Sequence, residues 1–381
     1  MLHNPLRSCL PLAMAQLRTL GGRYGLVAWI GWLSLTAGPA SAAPAELLIV
    51  VGAAGESEYG EQFGEWLQRW ESLAKSADIP TTVIGRPVAQ PSEAQPSESQ
   101  PSEAQPTVTD RQQLQDFLAR QSDSSQPADG AAAAQPSTNA ASGAEPTDKH
   151  SSPLWIVLLG HGTYDGRTAR FNLSGPDVSA EELASWIGKV ERPLIVINAA
   201  SASAPFLPAL SGPNRVVVTA TQSGDEQQFA RFGGMLAESL TSPQADLDKD
   251  QQTSLLEGIV YASRMVARYY SEQGRLATEH ALVDDNGDKL GTPLEWFEGV
   301  MATAKADKQH QLDGNLAHQW HLIASPTELR LTAEQIARRT QLEQQLTDLR
   351  RTRPDVVDID AYYARMEPIL LELARLYADT E

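Results

Sequence analysis

The chain has 381 residues, 41% of them hydrophobic, and a formal net charge of −18 at neutral pH. That length and composition are those of a soluble globular chain able to bury a large core, and the acidic excess repels phosphate backbones and anionic lipid, so nucleic acid and membrane surfaces are excluded as partners. The same surface attracts cations.

Residues 1–42 read separately from the rest. Arg7, Arg18 and Arg23 form a basic start, GLVAWIGWLSLTAG (25–38) is a short apolar run, and Ala40-Ser41-Ala42 is a small-residue cleavage signal. The apolar run falls short of the roughly 20 residues that a membrane span needs, so the segment is expected to be an export signal cleaved near Ala42, leaving a periplasmic or secreted protein. No later segment is apolar enough to span a bilayer. Cleavage leaves 27 basic against 48 acidic side chains and removes Cys9, the only cysteine. Disulfides, zinc–thiolate sites and cysteine nucleophiles are then excluded.

ELLIVVGAA (46–54) predicts a buried strand, YGEQFGEWLQRWESLAKSA (59–77) an amphipathic helix and TTVIG (81–85) a second strand. Polar and proline-rich pentads (QPSEA, QPSES, QPSEA) follow, then a helical island, TDRQQLQDFLAR (109–120), then a Ser/Ala/Gly/Pro-rich tract. Such composition cannot bury enough apolar surface to order itself, so disordered insertions are expected at about 87–108 and 121–152. PLWIVLLGHG (153–162), LIVIN (194–198) and RVVVTAT (215–221) are continuous apolar runs of the kind found in parallel strands covered on both faces. Helical patterns separate them, including one at 178–190 opened by a Ser179/Glu182 capping box. Alternating strands and helices predict a doubly wound, mostly parallel sheet, with sites at the carboxyl ends of its strands.

DLDKDQQTSLLE (246–257) places Asp246, Asp248, Asp250, Gln252, Ser254 and Glu257 at the oxygen-ligand positions of an EF-hand calcium loop, with Gln252 contributing its backbone carbonyl. Gln251 stands where the sharp turn normally has Gly, and Thr253 where an aliphatic residue is usual. Weak calcium binding is the expected chemistry, beside the alternative of an acidic helix-capping loop. Asp284, Asn286 and Asp288 repeat the alternation, but Pro293 interrupts that segment and Asn286-Gly287 reads as a turn. His318 and His321 have ligand-like spacing without a third partner. Residues 333–378 carry two helical runs broken at TRPD, with Leu342, Leu346 and Leu349 of one and Leu370, Leu371, Leu373 and Leu376 of the other set to bury against each other or the main domain. The domain plan is therefore a signal at 1–42, an α/β domain at 43–330 and a helical hairpin, with coiled-coil character, at 331–381.

Two strand ends carry the candidate chemistry. LLGHG (158–162) sets His161 and Gly162 just beyond one strand, and IVINAAS (195–201) sets Asn198 to Ser201 just beyond another. This arrangement resembles the caspase-like cysteine peptidases, and among them the legumain family (peptidase C13), over roughly residues 46–240. TATQSGDEQQF (219–229) is similar to that family's substrate-binding loop, and VGAAGESEYGEQFGEW (51–66) to its first strand and helix. The resemblance implies a caspase-like three-layer α/β sandwich and a His/Cys dyad, yet it aligns Ala200 with the cysteine. A methyl group can neither ionise nor attack. The expectation is a pseudopeptidase that binds or scaffolds a protein or peptide partner around a structural calcium ion. Two alternatives stand beside it: a hydrolase using His161 with Ser201 or Ser203, and an envelope interaction protein whose C-terminal hairpin docks the partner.

Overall fold

The computed structural model describes residues 45–87, 108–122, 152–306, 311–325, 327–351 and 358–378. The expected signal and nearly all of both expected insertions lie outside these residues. In chain order the elements begin β1 (Glu46–Val51), α1 (Ser57–Ser76), β2 (Thr81–Ile84), α2 (Asp110–Ser122), β3 (Leu154–Leu159), β4 (Gly162–Tyr164), β5 (Ala169–Phe171), β6 (Val178–Ser179), α3 (Ala180–Ile187) and β7 (Leu194–Asn198). They continue with α4 (Leu207–Leu210), β8 (Arg215–Thr219), α5 (Phe232–Ser239), α6 (Leu255–Glu272), β9 (Leu282–Asp284), β10 (Thr292–Pro293), β11 (Phe297–Glu298), β12 (Met301–Ala302), α7 (Asn315–Gln319), α8 (Ala333–Arg351) and α9 (Ile359–Ala378).

The main sheet runs β10-β9-β8-β7-β3-β1-β2. Its pairs from β2 to β8 are parallel, and β9 and β10 close one edge antiparallel. Strand alternation divides the core into two layers. Leu47, Ile49, Val51, Trp155, Val157, Leu159, Ile195 and Ile197 point to the side covered by α1, α5 and α6. Leu48, Val50, Ile156, Leu158, Leu194 and Val196 point to the side covered by α2, α3 and α4. Every residue of β3 and β7 is buried, which is why those segments read as unbroken apolar runs. The result is an α/β three-layer sandwich with a mostly parallel sheet.

Helix ends follow local chemistry. Ser179 caps α3 and Ser254 caps α6, each in a reciprocal box with the glutamate three residues on. Among the described residues no helix is long and apolar enough to cross a membrane.

The C-terminal helices form an antiparallel pair, because Arg338 near the start of α8 meets Glu372 near the end of α9. Leu342, Leu346 and Leu349 are buried, as their spacing predicts. Leu370 and Leu371 are not: they are 43% and 49% exposed. Tyr362 is buried and Met366, Ile369, Leu373 and Leu376 are half-buried, a three-four spacing that sets the packed face of α9 and leaves Leu370 and Leu371 on its outer side.

Candidate functional site

Strand order reverses between β1 and β3, because the chain leaves β1 for β2 on one side and returns to β3 on the other. The carboxyl ends of two such strands flank the usual ligand crevice of an open α/β sheet. Gly52 and Gly160 make that end narrow. A Cβ on Gly52 would stand 2.5 Å from the Asn172 carbonyl oxygen, and one on Gly160 would press Phe171 and the Gly52 backbone.

His161 sits at this switch point. Its parity continues that of Trp155, Val157 and Leu159, so its ring turns toward α1 and α5. There it meets Tyr59 edge-on at 4.8 Å between centroids and Phe63 at 5.2 Å, with Phe229 at 6.0 Å. Phe229 in turn stacks on Tyr59 and leans on Trp66. The Ala54 backbone lies beside the imidazole. Burial among the aromatic rings pushes its pKa below the ordinary value, against the Ala54 backbone and the nearby Glu56 carboxylate. Asp165, in the turn after β4, accepts from Arg167, Thr168 and Arg170.

Ala200 lies on the other side of the sheet. It extends the parity of Leu194 and Val196, is 1% exposed, and belongs to the core under α3 and α4. Ser201 is 2% exposed; its hydroxyl accepts from the Gly162 amide at 3.1 Å and donates to the Gly162 carbonyl at 3.2 Å. A strand-end amide of this kind is what would stabilise an oxyanion, and here Ser201 Oγ occupies it. Gly162 has no room for a side chain, since a Cβ would lie 2.3 Å from the Ser201 carbonyl oxygen.

The rest of the segment is engaged apart from the buried Asn198 Nδ2, which has no hydrogen-bond partner among the described residues. Asn198 Oδ1 accepts the Ala200 amide, and Ala202, held at φ 49°, donates to the Glu226 carbonyl. Ser203 is fully buried and shares a 3.1 Å hydrogen bond with Thr221 Oγ1, which also receives the Ala204 amide. Glu226 holds His280 by both its ring and its amide. The loop 219–229 thus works as a brace across the strand ends.

The acidic loop 246–257 lies beyond α5 and feeds α6. Asp246 accepts the Lys249 and Gln251 amides, Asp248 the Asp250 amide, and Asp250 the Gln252 amide. Gln251 adopts φ 74° and Lys249 φ 66°, so the turn that Gly would favour is made without one. Carboxylate oxygens of Asp246, Asp248 and Asp250 come within 4.8 Å of one another. Oxygens sharing a calcium ion at about 2.3–2.6 Å fall inside that separation, so these three carboxylates fit a hard cation. Burial, with Asp248, Glu257 and Asp246 close by, raises Asp250 to about 6.

The later positions are committed to the protein. Glu257, 1% exposed, accepts the Leu247 and Asp248 amides on one oxygen and the Ser254 amide and hydroxyl on the other. All four of its lone-pair directions are used; the Gln252 side chain accepts the Ser325 amide, a bond that does not involve the backbone carbonyl expected as its ligand atom.

His318 Nε2 reaches Asp248 Oδ2 at 3.1 Å. Burial works to lower the His318 pKa, but Asp248, Glu257 and Asp250 carry it above its ordinary value. His321 lies deeper, against Ser254 in an isolated antiparallel bridge, and burial lowers it to about 4.

A second loop repeats this architecture. Asp284 accepts the Gly287 and Lys289 amides, Asn286 the Asp288 amide and Asp288 the Leu290 amide, with positive φ at Gly287 and Lys289. Asp313 takes the part of Glu257, accepting the Asp285 and Asn286 amides and the Thr292 hydroxyl. Sequence offered the Asp-x-Asn-x-Asp signal, but its closing carboxylate comes from a distant segment that no spacing rule points to.

No protein-family model and no curated protein matches the chain. Solved structures similar to it include caspase-1 from Spodoptera frugiperda, at 10% identity and a TM-score of 0.38, covering 64% of this chain and 87% of that one. The Drosophila initiator caspase Dronc is similar at 11% identity and a TM-score of 0.36, covering 63% and 79%, and drICE at 10% and 0.33, covering 65% and 89%.

Proposed function

We propose that the chain is an exported, caspase-like module that has lost peptidase chemistry and acts by binding or scaffolding a protein or peptide, with a calcium ion at the 246–257 loop. One observation carries the reading. Where the resemblance to legumain-type peptidases calls for a thiol there is the buried methyl of Ala200, and the neighbouring Ser201 and Ser203 hydroxyls are already bonded to Gly162 and Thr221. An attacking serine needs a base within roughly 3 Å; His161 packs in an aromatic shell with Tyr59 and Phe63, and the hydrogen bonds of Ser201 and Ser203 go to Gly162 and Thr221 instead.

The test is to incubate residues 43–381 with a peptide-substrate library and a fluorophosphonate probe. No turnover and no labelling is the expected result; turnover abolished by His161→Ala overturns the reading in favour of a serine hydrolase.

For calcium, the convergence of Asp246, Asp248 and Asp250 supports the assignment, and Ser254 and Glu257 would join only by opening their capping box. A ligand present at 100 times its Kd stabilises a fold by about 2.7 kcal/mol. Calcium in the millimolar range should therefore raise the melting temperature, and Asp246→Asn with Asp250→Asn should remove the rise. An unchanged melting temperature in the unsubstituted protein retires calcium.

A further inference from the structure

The acidic loop is not free-standing. It is tied to the segment 318–325, through which the chain passes from α7 toward the C-terminal hairpin. The Leu255 amide donates to the Trp320 carbonyl at 2.7 Å, and Ser254 and His321 form an antiparallel bridge. The Ser325 amide donates to the Gln252 side chain at 3.1 Å, and His318 Nε2 stands 3.1 Å from Asp248 Oδ2. Beyond this segment the buried Leu331 and the Glu328–Arg339 ion pair lead into α8.

The first three ties leave the carboxylates of the loop alone, but the fourth does not. Asp248 offers an oxygen within 4.8 Å of those of Asp246 and Asp250, and equally one within 4.8 Å of a Glu257 oxygen and a His318 ring nitrogen. It is the residue that the two groups share. Its Oδ1 accepts the Asp250 amide and its Oδ2 faces the imidazole, so an ion drawn in by the three aspartates meets a carboxylate already engaged. Facing a carboxylate, Nε2 carries its hydrogen. A positive N–H end therefore lies where a cation held by Asp248 would approach, and positive charges at such separations repel. Calcium in turn takes oxygen ligands and not imidazole. Lys249 Nζ also turns onto the loop, but to the Asp246 backbone carbonyl within its own turn; His318 is brought from α7, outside it.

We propose that His318 is a latch on the calcium loop: imidazole and ion compete for Asp248, so calcium binding frees His318 and loosens the 314–325 segment that seats the hairpin. The proposal rests on the calcium reading of 246–257 and adds the regulation of that site. The coupling is reciprocal, since a contact that the ion must break weakens the ion by the same factor. The side chains of the pair are 35% and 32% exposed, and ion pairs open to solvent shift an equilibrium by roughly two- to fivefold.

The experiment is calorimetric titration of the exported chain, residues 43–381, with calcium chloride at one fixed pH, beside the His318→Ala and His318→Gln variants. Removing the imidazole should tighten calcium by about two- to fivefold. Glutamine, a neutral donor of similar reach, should fall between the two. Hydrogen exchange read by mass spectrometry supplies the reciprocal side. Calcium should speed exchange of the 314–325 amides in the unsubstituted chain and leave β1 and β3 unchanged; in His318→Ala those amides should exchange fast with or without the ion. Unchanged protection of β1 and β3 in the variants shows that the substitution acts on the segment and not on the whole fold. Binding seen only in the variants supports the latch. Equal calcium affinity in all three proteins, weaker affinity in the variants, or slower exchange at 314–325 with calcium overturns it and leaves the calcium site standing. No binding in any of the three retires the calcium reading, and the latch with it.

Discussion

Glu279→Gln is the most informative single change for stability. The Glu279 carboxyl is 3% exposed and accepts the Arg231 and Phe232 amides at the start of α5, together with the Tyr270 hydroxyl. Burial raises its pKa from the ordinary 4.5 to about 7, the amides, the hydroxyl and the Arg231 charge opposing the rise. An acid whose folded pKa lies above its unfolded one binds more protons when folded. Its contribution is therefore complete below pH 4.5 and is lost as pH rises through 7. At about 1.4 kcal/mol per unit of pKa, the loss is about 3 kcal/mol. Glutamine keeps an acceptor for the α5 amides and can donate to Tyr270, but carries no charge. Urea unfolding of both proteins at a series of pH values from 4.5 to 8 should give similar free energies at the acid end and a glutamine variant about 3 kcal/mol more stable at pH 8. If the difference between the two is the same at every pH, the carboxylate is ionised throughout, and the three donors outweigh burial.

Three further changes probe the strand ends and the acidic loop. Ala200→Cys should give a thiol that iodoacetamide modifies only after denaturation, with no peptidase activity, because the site faces the α3–α4 core rather than His161; rapid alkylation that depends on His161 would refute that geometry. Gly162→Ala should cost about 2 kcal/mol or more in chemical denaturation, since its Cβ must displace the Ser201 backbone, and a neutral result would mean the two strand ends separate easily. Gln251→Gly should raise unfolding free energy by about 0.5–1 kcal/mol by relieving the left-handed φ of 74°, whereas a loss would show that the side chain contributes more than the backbone strain costs.

Strand and helix positions were legible because the strands are buried on both faces and the caps are local. Ser179 with Glu182, and Ser254 with Glu257, announce their helices within four residues. The same continuous apolar runs hid the most consequential detail. Where every residue of a strand is buried, nothing in the text says which parity faces which layer, and that parity separates His161 from Ala200. The aromatic shell of Tyr59, Phe63 and Phe229 was equally hidden, since α1 and the 219–229 loop meet only in three dimensions. Adjacent leucines misled in the other direction. Leu370 and Leu371 are helical neighbours about 100° apart, and the packed face of α9 runs through Tyr362, Ile369 and Leu373, past both of them.

The acidic loops make the complementary point. Alternate Asp and Asn side chains at 246–250 and at 284–288 were visible in the sequence, and both fold into the same turn although one lacks Gly at either left-handed position and the other has Gly287 at one. What closes each loop is a carboxylate that accepts the amides of its second and third residues and a hydroxyl from its ninth. In the first loop this is Glu257, within the helix the loop feeds; in the second it is Asp313, brought in by the segment before α7. An isolated turn of converging carboxylates repels itself. It persists here because backbone amides point into it from both ends, and in the first loop because the imidazole of His318 lies against its outer face. In both loops the amides fix the acids in place.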